Sequence, residues 1–423
     1  MLVRLAYGDG YLNVSIPDGI DVQVIEPTFV PSSPNPMESV RASICNPIGG
    51  RPLRSRVRPS DTVAIVFSDI TRPTPNRLII PVILTELHAA GVPDRNITLF
   101  NATGTHRLNT EDELVTLLGR EIVASYHIVQ NDARAQNEHQ VVGVTRSGNE
   151  VRIQQDFLAC SFKILTGFIE PHFFAGFSGG GKAVLPGMAH IDTVMRNHNA
   201  RNIDSPHAKW ATLDDNPIRA EIDEAVAMVR PDFLVNVALN RDKQITRSFA
   251  GDVADAYAAG TKYVRECAMQ KVHAPFDIVL TSNSGYPLDQ NLYQSVKGIS
   301  AAARVTRPGG TIIVAAECRE GVPDHGSFGR LLSEAGSAEE LLAHVRASET
   351  MIDDQWQAQI LAMIVNSTDV FFYSDGLSTS QISLAMLHPC ASIEAQVRIS
   401  LEKYGPAAKV CVLPEGPQTV PYL

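Results

Sequence analysis

FKILTGFIEPHFFAGFSGGGKAVLPG, residues 162–187, joins a buried-strand pattern to a glycine loop. FKILTGF has the length and apolar content of a strand and stops at a Gly- and Pro-containing segment. The loop holds G-x-x-x-x-G-K from Gly176 through Gly181 to Lys182, a spacing in which backbone N–H groups cradle a phosphate and the lysine reaches it. Two features argue against a nucleotide loop. The strand pattern ends near Phe168, well before Gly176, whereas such a loop follows its strand directly. Ala183 stands where a Ser or Thr hydroxyl would hold magnesium. The run Gly179, Gly180, Gly181 costs backbone entropy, so something is expected to approach the main chain closely there. A P-loop-like nucleotide binder stays as an alternative.

Working outward, further Val- and Ile-rich runs read as strands: TVAIVF (62–67), ITLFNA (97–102) and FLVNVAL (233–239), then DIVLTS (277–282), TIIVAA (311–316), DVFFYS (369–374) and KVCVLP (409–414). Helical patterns separate them, including RLIIPVILTELHAAG (77–91), NPIRAEIDEAVAMVR (216–230) and SAEELLAHVRAS (337–348). The last opens with Ser337 three residues before Glu340, a capping-box spacing. Strands alternating with helices predict an α/β protein with mostly parallel sheets. The break between the two series falls near QKVHAPFD. We divide the chain into an N-terminal cofactor-binding and catalytic domain (1–270), a C-terminal α/β domain (271–405), and a strand or tail (406–423) that could return to the N-terminal domain.

The 423 residues suffice for two cores, and 44% hydrophobic with 19% charged residues is an ordinary globular composition. A formal charge of −10 argues against a nucleic-acid partner, though a few Arg and Lys can still build a local anion pocket. The six cysteines show no C-x-x-C spacing, which points to reduced thiols and a cytoplasmic setting. The start, MLVRLAYGDGYLNVSIPDG, alternates around a glycine turn and reads as a β-hairpin, not a signal peptide. No apolar run is long enough to span a membrane.

Ligands of open α/β sheets bind beyond the carboxyl ends of strands, and unusual residues follow several of these runs. SDITRPTP gives Asp69 and Arg72, ATGTHR gives His106, the glycine loop gives His172, Ser178 and Lys182, and MRNHN gives His198 on an expected helix. Each has a plainer reading: a turn with a local ion pair, a loop histidine, a solvated helix residue. Two histidines near neutrality can trade a proton, a loop lysine can be a covalent anchor, and a third histidine can bind metal. In the second half, GYPLDQNLYQSVKG places Tyr293, Gln294 and Lys297 together, with Tyr293 and Lys297 one helical turn apart. Trp356, beside Asp354 and Gln355, is a pocket wall or a core residue.

Taken together, SDITRPTP, ATGTHR, GFIEPHFFAGFSGGGKAVLPG, MRNHN, SFAGD, GYPLDQNLYQSVKG, GGTIIVAA and DQWQAQI resemble, in order and over nearly the whole chain, the nickel-dependent lactate racemases and the wider 2-hydroxyacid racemase/epimerase family. The resemblance implies two α/β domains with the active site in the cleft between them. It implies a nickel-pincer pyridinium-3,5-bisthiocarboxylic acid mononucleotide, supplied by cofactor-biosynthesis enzymes and joined covalently to Lys182, with His198 as nickel ligand. His106 and His172 match the paired proton donor/acceptors. Asp69, Arg72, Ser178, Gly179 and Gly180 fall in segments that contact the cofactor. Arg72, Tyr293, Gln294, Lys297 and Trp356 match or adjoin substrate contacts. Gly181 departs from members that carry a basic residue there.

The implied reaction is reversible hydride transfer from C2 of lactate through a planar keto acid. Racemisation or epimerisation of malate or an aldonic sugar acid, and a non-catalytic cofactor-binding protein, are the alternatives.

Overall fold

The computed structural model describes residues 1–324, 326–348 and 351–423. The chain forms two compact units, each built on a six-stranded sheet. One, here the loop unit, comprises Val30–Asn197 and His207–Glu266. The other, the terminal unit, comprises Met1–Phe29, His198–Pro206 and Cys267–Leu423.

In the loop unit the strand order is Ile245–Gly251, Phe233–Leu239, Phe162–Phe168, Val63–Ser68, Ile97–Ala102, His127–Gln130. All neighbours are parallel except the outer pair, Phe233–Leu239 with Ile245–Gly251. Parallel strands are buried on both faces by their crossover helices, so they read as near-continuous apolar runs. Val63, Ile65 and Phe67 of the central strand, Ile164 beside it, and Ile79, Ile80 and Ile83 of the helix Asn76–Ala89 are accordingly buried in one core.

The terminal unit carries an all-parallel sheet in the order His388–Pro389, Asp369–Tyr373, Thr306–Ala315, Phe276–Ser282, Lys409–Leu413, Asp21–Val24. Ile278, Leu280, Ile313, Val410 and Val412 fill its core. The expected N-terminal hairpin forms, pairing Leu2–Tyr7 with Gly10–Ser15.

The final strands lie in the terminal unit, where Lys409–Leu413 also pairs with Asp21–Val24 from the stretch assigned to the first domain. Lys409–Leu413 pairs with Phe276–Ser282, and Val420–Tyr422 pairs with Met269–Lys271, all within the terminal unit. The hairpin and Asp21–Val24 also belong there, so the first 29 residues lie with the C-terminal half. These pairings are long-range in sequence, and strand periodicity carries no information about which sheet a strand joins.

One cap also differs from its expectation. Ser337 Oγ accepts the Glu340 N–H at 3.2 Å, but the Glu340 carboxylate takes the N–H of Gly336 and not that of Ser337. Among the described residues no helix is long and apolar enough to cross a membrane.

Ile164 lies fully buried at the centre of the loop unit's sheet. Ile164→Ala should therefore lower that unit's unfolding free energy by about 3 kcal/mol, read as a reduced urea midpoint; a change within measurement error would show that the site collapses freely.

Candidate functional site

Three loops at the carboxyl ends of the loop unit's strands carry the candidate residues. After Val63–Ser68 the chain turns at Asp69, where the Arg72 N–H donates to Asp69 O at 3.2 Å. The Asp69 side chain closes a local turn by accepting from the Thr71 N–H and the Thr71 hydroxyl. Its other oxygen, Oδ2, lies 2.5 Å from His106 Nδ1. A carboxylate only accepts, so His106 carries its proton on Nδ1 and presents Nε2 as the basic nitrogen. Burial alone would raise the Asp69 carboxyl. The charge and hydrogen bond of His106, with Arg72 and Thr71, outweigh that and hold it below its ordinary value, hence ionised.

His106 sits on the ATGTHR turn, where Gly104 has φ +58° and donates its N–H to Gly187 O at 3.2 Å. That bond ties the histidine's loop to the far end of the glycine segment.

The glycine segment is a small antiparallel hairpin, Pro171–His172 with Gly176–Phe177, followed by a 3-10 turn over Gly180–Ala183. His172 is buried. The backbone N–H of Ala175 donates to its Nδ1 at 3.2 Å, and that of Phe174 at 3.5 Å. Nδ1 is thus the accepting nitrogen, and a neutral His172 ring carries its proton on Nε2. The two histidines are held in opposite tautomers.

The close approach expected at the glycines is made by the protein itself. Gly179 and Gly180 have φ +78° and +55°. A Cβ on Gly179 would meet Asn236 Oδ1 at 2.7 Å, and one on Gly180 would meet the Tyr257 ring at 2.5 Å. Gly181 faces the helix Pro217–Val229, where a Cβ would stand 2.7 Å from Val226. Gly181 is therefore a position where the loop seats against a helix.

Three of the loop's amides are also committed. Gly180 N–H donates to Asn236 Oδ1 at 2.8 Å, Lys182 N–H to Gly179 O at 3.2 Å, and Ser178 N–H to Glu170 O at 2.9 Å. These three amides are spent inside the protein and are not available to a phosphate. Lys182 is half-buried, with Nζ 5.6 Å from the Phe174 ring centre. Ser178 Oγ reaches Glu170 at 3.4 Å.

The remaining candidates belong to the terminal unit. His198 is not helical: the helix Ile191–Asn197 ends before it, and Asn199 caps the next helix, Ala200–Ile203. The Asn199 side chain accepts from the Asn202 N–H, and that cap breaks the helical run at the histidine. The buried His198 ring meets Trp356 edge to face at 5.1 Å. Trp356 Nε1 donates to the Tyr293 hydroxyl at 3.0 Å. Tyr293, Gln294 and Lys297 lie on the helix Leu292–Ala303, and Lys297 Nζ donates to Gln294 Oε1 at 2.9 Å. Trp356 is thus both buried and in contact with a candidate ligand residue.

Sequence reasoning missed Thr71, Asn236 and Tyr257. Asn236 had a visible signal, a lone amide inside FLVNVAL. Tyr257 had none, because it reaches the loop from a separate helix, Val253–Ala268.

Comparison with known proteins adds the following. The sequence models of the lactate racemase N-terminal and C-terminal domains match residues 7–211 and 271–420. A lactate racemase of Thermoanaerobacterium thermosaccharolyticum is 32% identical over 418 residues, 98% of this chain and 97% of that protein. One from Lactiplantibacillus plantarum is 37% identical over 382 residues, 90% of this chain and 89% of that protein. The fold superposes on the solved apoprotein from Thermoanaerobacterium thermosaccharolyticum with TM-score 0.94 at 30% identity, covering all of both chains (100% each). A Thermotoga maritima protein shares the fold at TM-score 0.70 and 16% identity, over 93% of this chain and 99% of that one.

The Asp69 carboxylate gives a pH signature. A carboxyl held below its unfolded value near 3.8 contributes stability above that pH and loses it as pH falls through the lowered folded value. The urea midpoints of wild type and Asp69→Asn should differ by a constant amount near neutrality and converge in acid. A gap persisting at full size well below pH 3.8 would rule out the ion pair as its source.

Proposed function

The chain belongs to the lactate racemase family, a family of isomerases, and from that premise we propose that it interconverts D- and L-lactate by hydride removal and return at C2. The observation that carries this reading is the contact between Asp69 and His106 Nδ1 at 2.5 Å, which places the ring proton on Nδ1 and leaves the lone pair of Nε2 to accept a proton. An imidazole is strong enough to take the hydroxyl proton of a 2-hydroxy acid but far too weak to take the hydrogen on C2 as a proton. On this reading that hydrogen leaves with its electron pair.

The group that would receive it is the nickel-pincer pyridinium nucleotide, which supplies two-electron chemistry, accepting hydride and giving it back. The residues fit such a group. Lys182 offers an amine on a loop whose backbone is fixed by Asn236 and Tyr257. Arg72 Nη1 is buried with no hydrogen-bond partner among the described residues, a cation suited to an anionic group. Among the described residues no three His, Cys, Asp or Glu side chains gather as a metal cluster. By the resemblance to the family, His198 is the imidazole this chain would give to nickel. Asp69, Ser178, Gly179 and Gly180 would hold the nucleotide through the loops they shape.

The chain's own residues do the rest. His106 accepts the hydroxyl proton at Nε2, and His172 offers the proton on its Nε2 to the substrate oxygen. Arg72 of the loop unit, and Gln294 and Lys297 of the terminal unit, are each assigned to the substrate carboxylate. Tyr293 and Trp356 wall the substrate.

The test uses enzyme matured with the cofactor-synthesis enzymes and L-lactate deuterated at C2. D-lactate should form with the label retained, and label exchanged into water would sink the hydride route. Lys182→Ala should lose both the mass adduct and turnover. His106→Ala and His172→Ala should keep the adduct while turnover falls by about 10²-fold or more. Activity on malate or an aldonic acid alone would reassign the substrate, and an adduct without turnover on any of them would favour a binding protein.

A further inference from the structure

Asn283 is the first residue beyond the strand Phe276–Ser282 and is fully buried. Its Nδ2 donates to Leu288 O and, at 3.1 Å, to Gln294 O, while its Oδ1 accepts the Gly298 N–H at 2.8 Å. Gln294 O and Gly298 N are the acceptor and donor of one i to i+4 step in the helix Leu292–Ala303. A side-chain amide thus meets both groups of that step, with Gln294 at one end of it and Lys297 inside it. Where a side chain enters the ladder, the helix opens or bends.

Gly298 makes this approach possible. A Cβ there would stand 2.3 Å from Ser282 O and 3.0 Å from Asn283 Oδ1. The strand end is itself held. Ser282 Oγ donates to Pro414 O at 2.7 Å, Ser284 Oγ donates to Glu415 O, and Ser284 takes φ +64°. The amide is therefore anchored to the sheet on one side and to the helix on the other.

We propose that Asn283 is a positioning residue for the substrate. It sets the rotation and height of the helical turn that carries Gln294 and Lys297, the two side chains joined at 2.9 Å. This rests on their assignment to the substrate carboxylate above. A structural role alone would reduce the amount of folded, loaded enzyme and leave the KM of what remains unchanged. A positioning role moves KM.

The experiment measures both enantiomers with loaded Asn283→Ala, Asn283→Asp, Gly298→Ala, Gln294→Ala and Lys297→Ala. Propanoate serves as a competitive inhibitor that binds but has no hydroxyl to oxidise. Asn283→Asp keeps the size and the acceptor for Gly298 while replacing the Nδ2 donor, so it is read even if Asn283→Ala fails to fold. Gly298→Ala displaces the same step with the Asn283 side chain retained, its Cβ pressing on Ser282 O and Asn283 Oδ1. In each Asn283 and Gly298 variant, KM and the propanoate inhibition constant should rise together, about tenfold. kcat per loaded enzyme should change by less than about threefold, and the Lys182 adduct mass should be unchanged. Wild-type KM in Asn283→Asp, with raised KM in Gln294→Ala and Lys297→Ala, overturns the positioning role alone. Wild-type KM in Gln294→Ala and Lys297→Ala overturns the substrate assignment, and the positioning role with it.

Discussion

A buried amide must find partners for both its halves or cost about 1–3 kcal/mol, and this constraint shapes the loop unit around Asn236. That residue sits fully buried in the strand Phe233–Leu239. Its Oδ1 takes the Gly180 N–H, which draws the glycine segment down against the sheet. A side chain at Gly179 would collide with the same amide, and one at Gly180 with Tyr257. The Tyr257 hydroxyl in turn donates to Phe177 O and accepts from Arg219 Nη1. Lys182 is therefore placed by packing beneath the loop, before any ligand acts on it.

Charge placement separates the site from the surface. Exposed pairs such as Lys403 with Asp369 are worth about 0–1 kcal/mol and are screened by salt. Asp69 is buried, and its carboxylate is held ionised by His106, Thr71 and Arg72. The same contact fixes the His106 tautomer, while two backbone amides fix the opposite one in His172. Two residues of one type are thus held in opposite tautomers by what each Nδ1 touches.

Much of this was legible in the chain. ITLFNA, FKILTGF and FLVNVAL coincide with strands, because apolar runs of that length bounded by turn residues have few other stable fates. Asp69, His106 and His172 do lie in loops beyond the strand ends Ser68, Ala102 and Phe168, where the alternation of strand and turn residues puts them. The shift of His198 out of a helix depended on Asn199 acting as a cap, which the short run MRNHN shows only in retrospect. The glycines read correctly as a place of close approach, but their partners, Asn236, Tyr257 and Val226, are distant in sequence. Asn283 was invisible for the same reason: an amide between a strand and a helix looks like any loop residue until the Gly298 N–H is seen to meet it.

The division into units also governs how the gene can be cut. The polypeptide passes from one unit to the other at 29/30, 197/198, 206/207 and 266/267. A fragment starting near residue 267 would lack Asp21–Val24 and leave the edge of Lys409–Leu413 open. Bare, apolar strand edges recruit other chains. Such a truncation would also discard His198–Pro206, whose Asp204 pairs with Arg346 at 2.8 Å and accepts from Gln359 at 2.9 Å. The C-terminal half thus packs as one unit with the first 29 residues and with His198–Pro206, and a cut at residue 267 divides that unit.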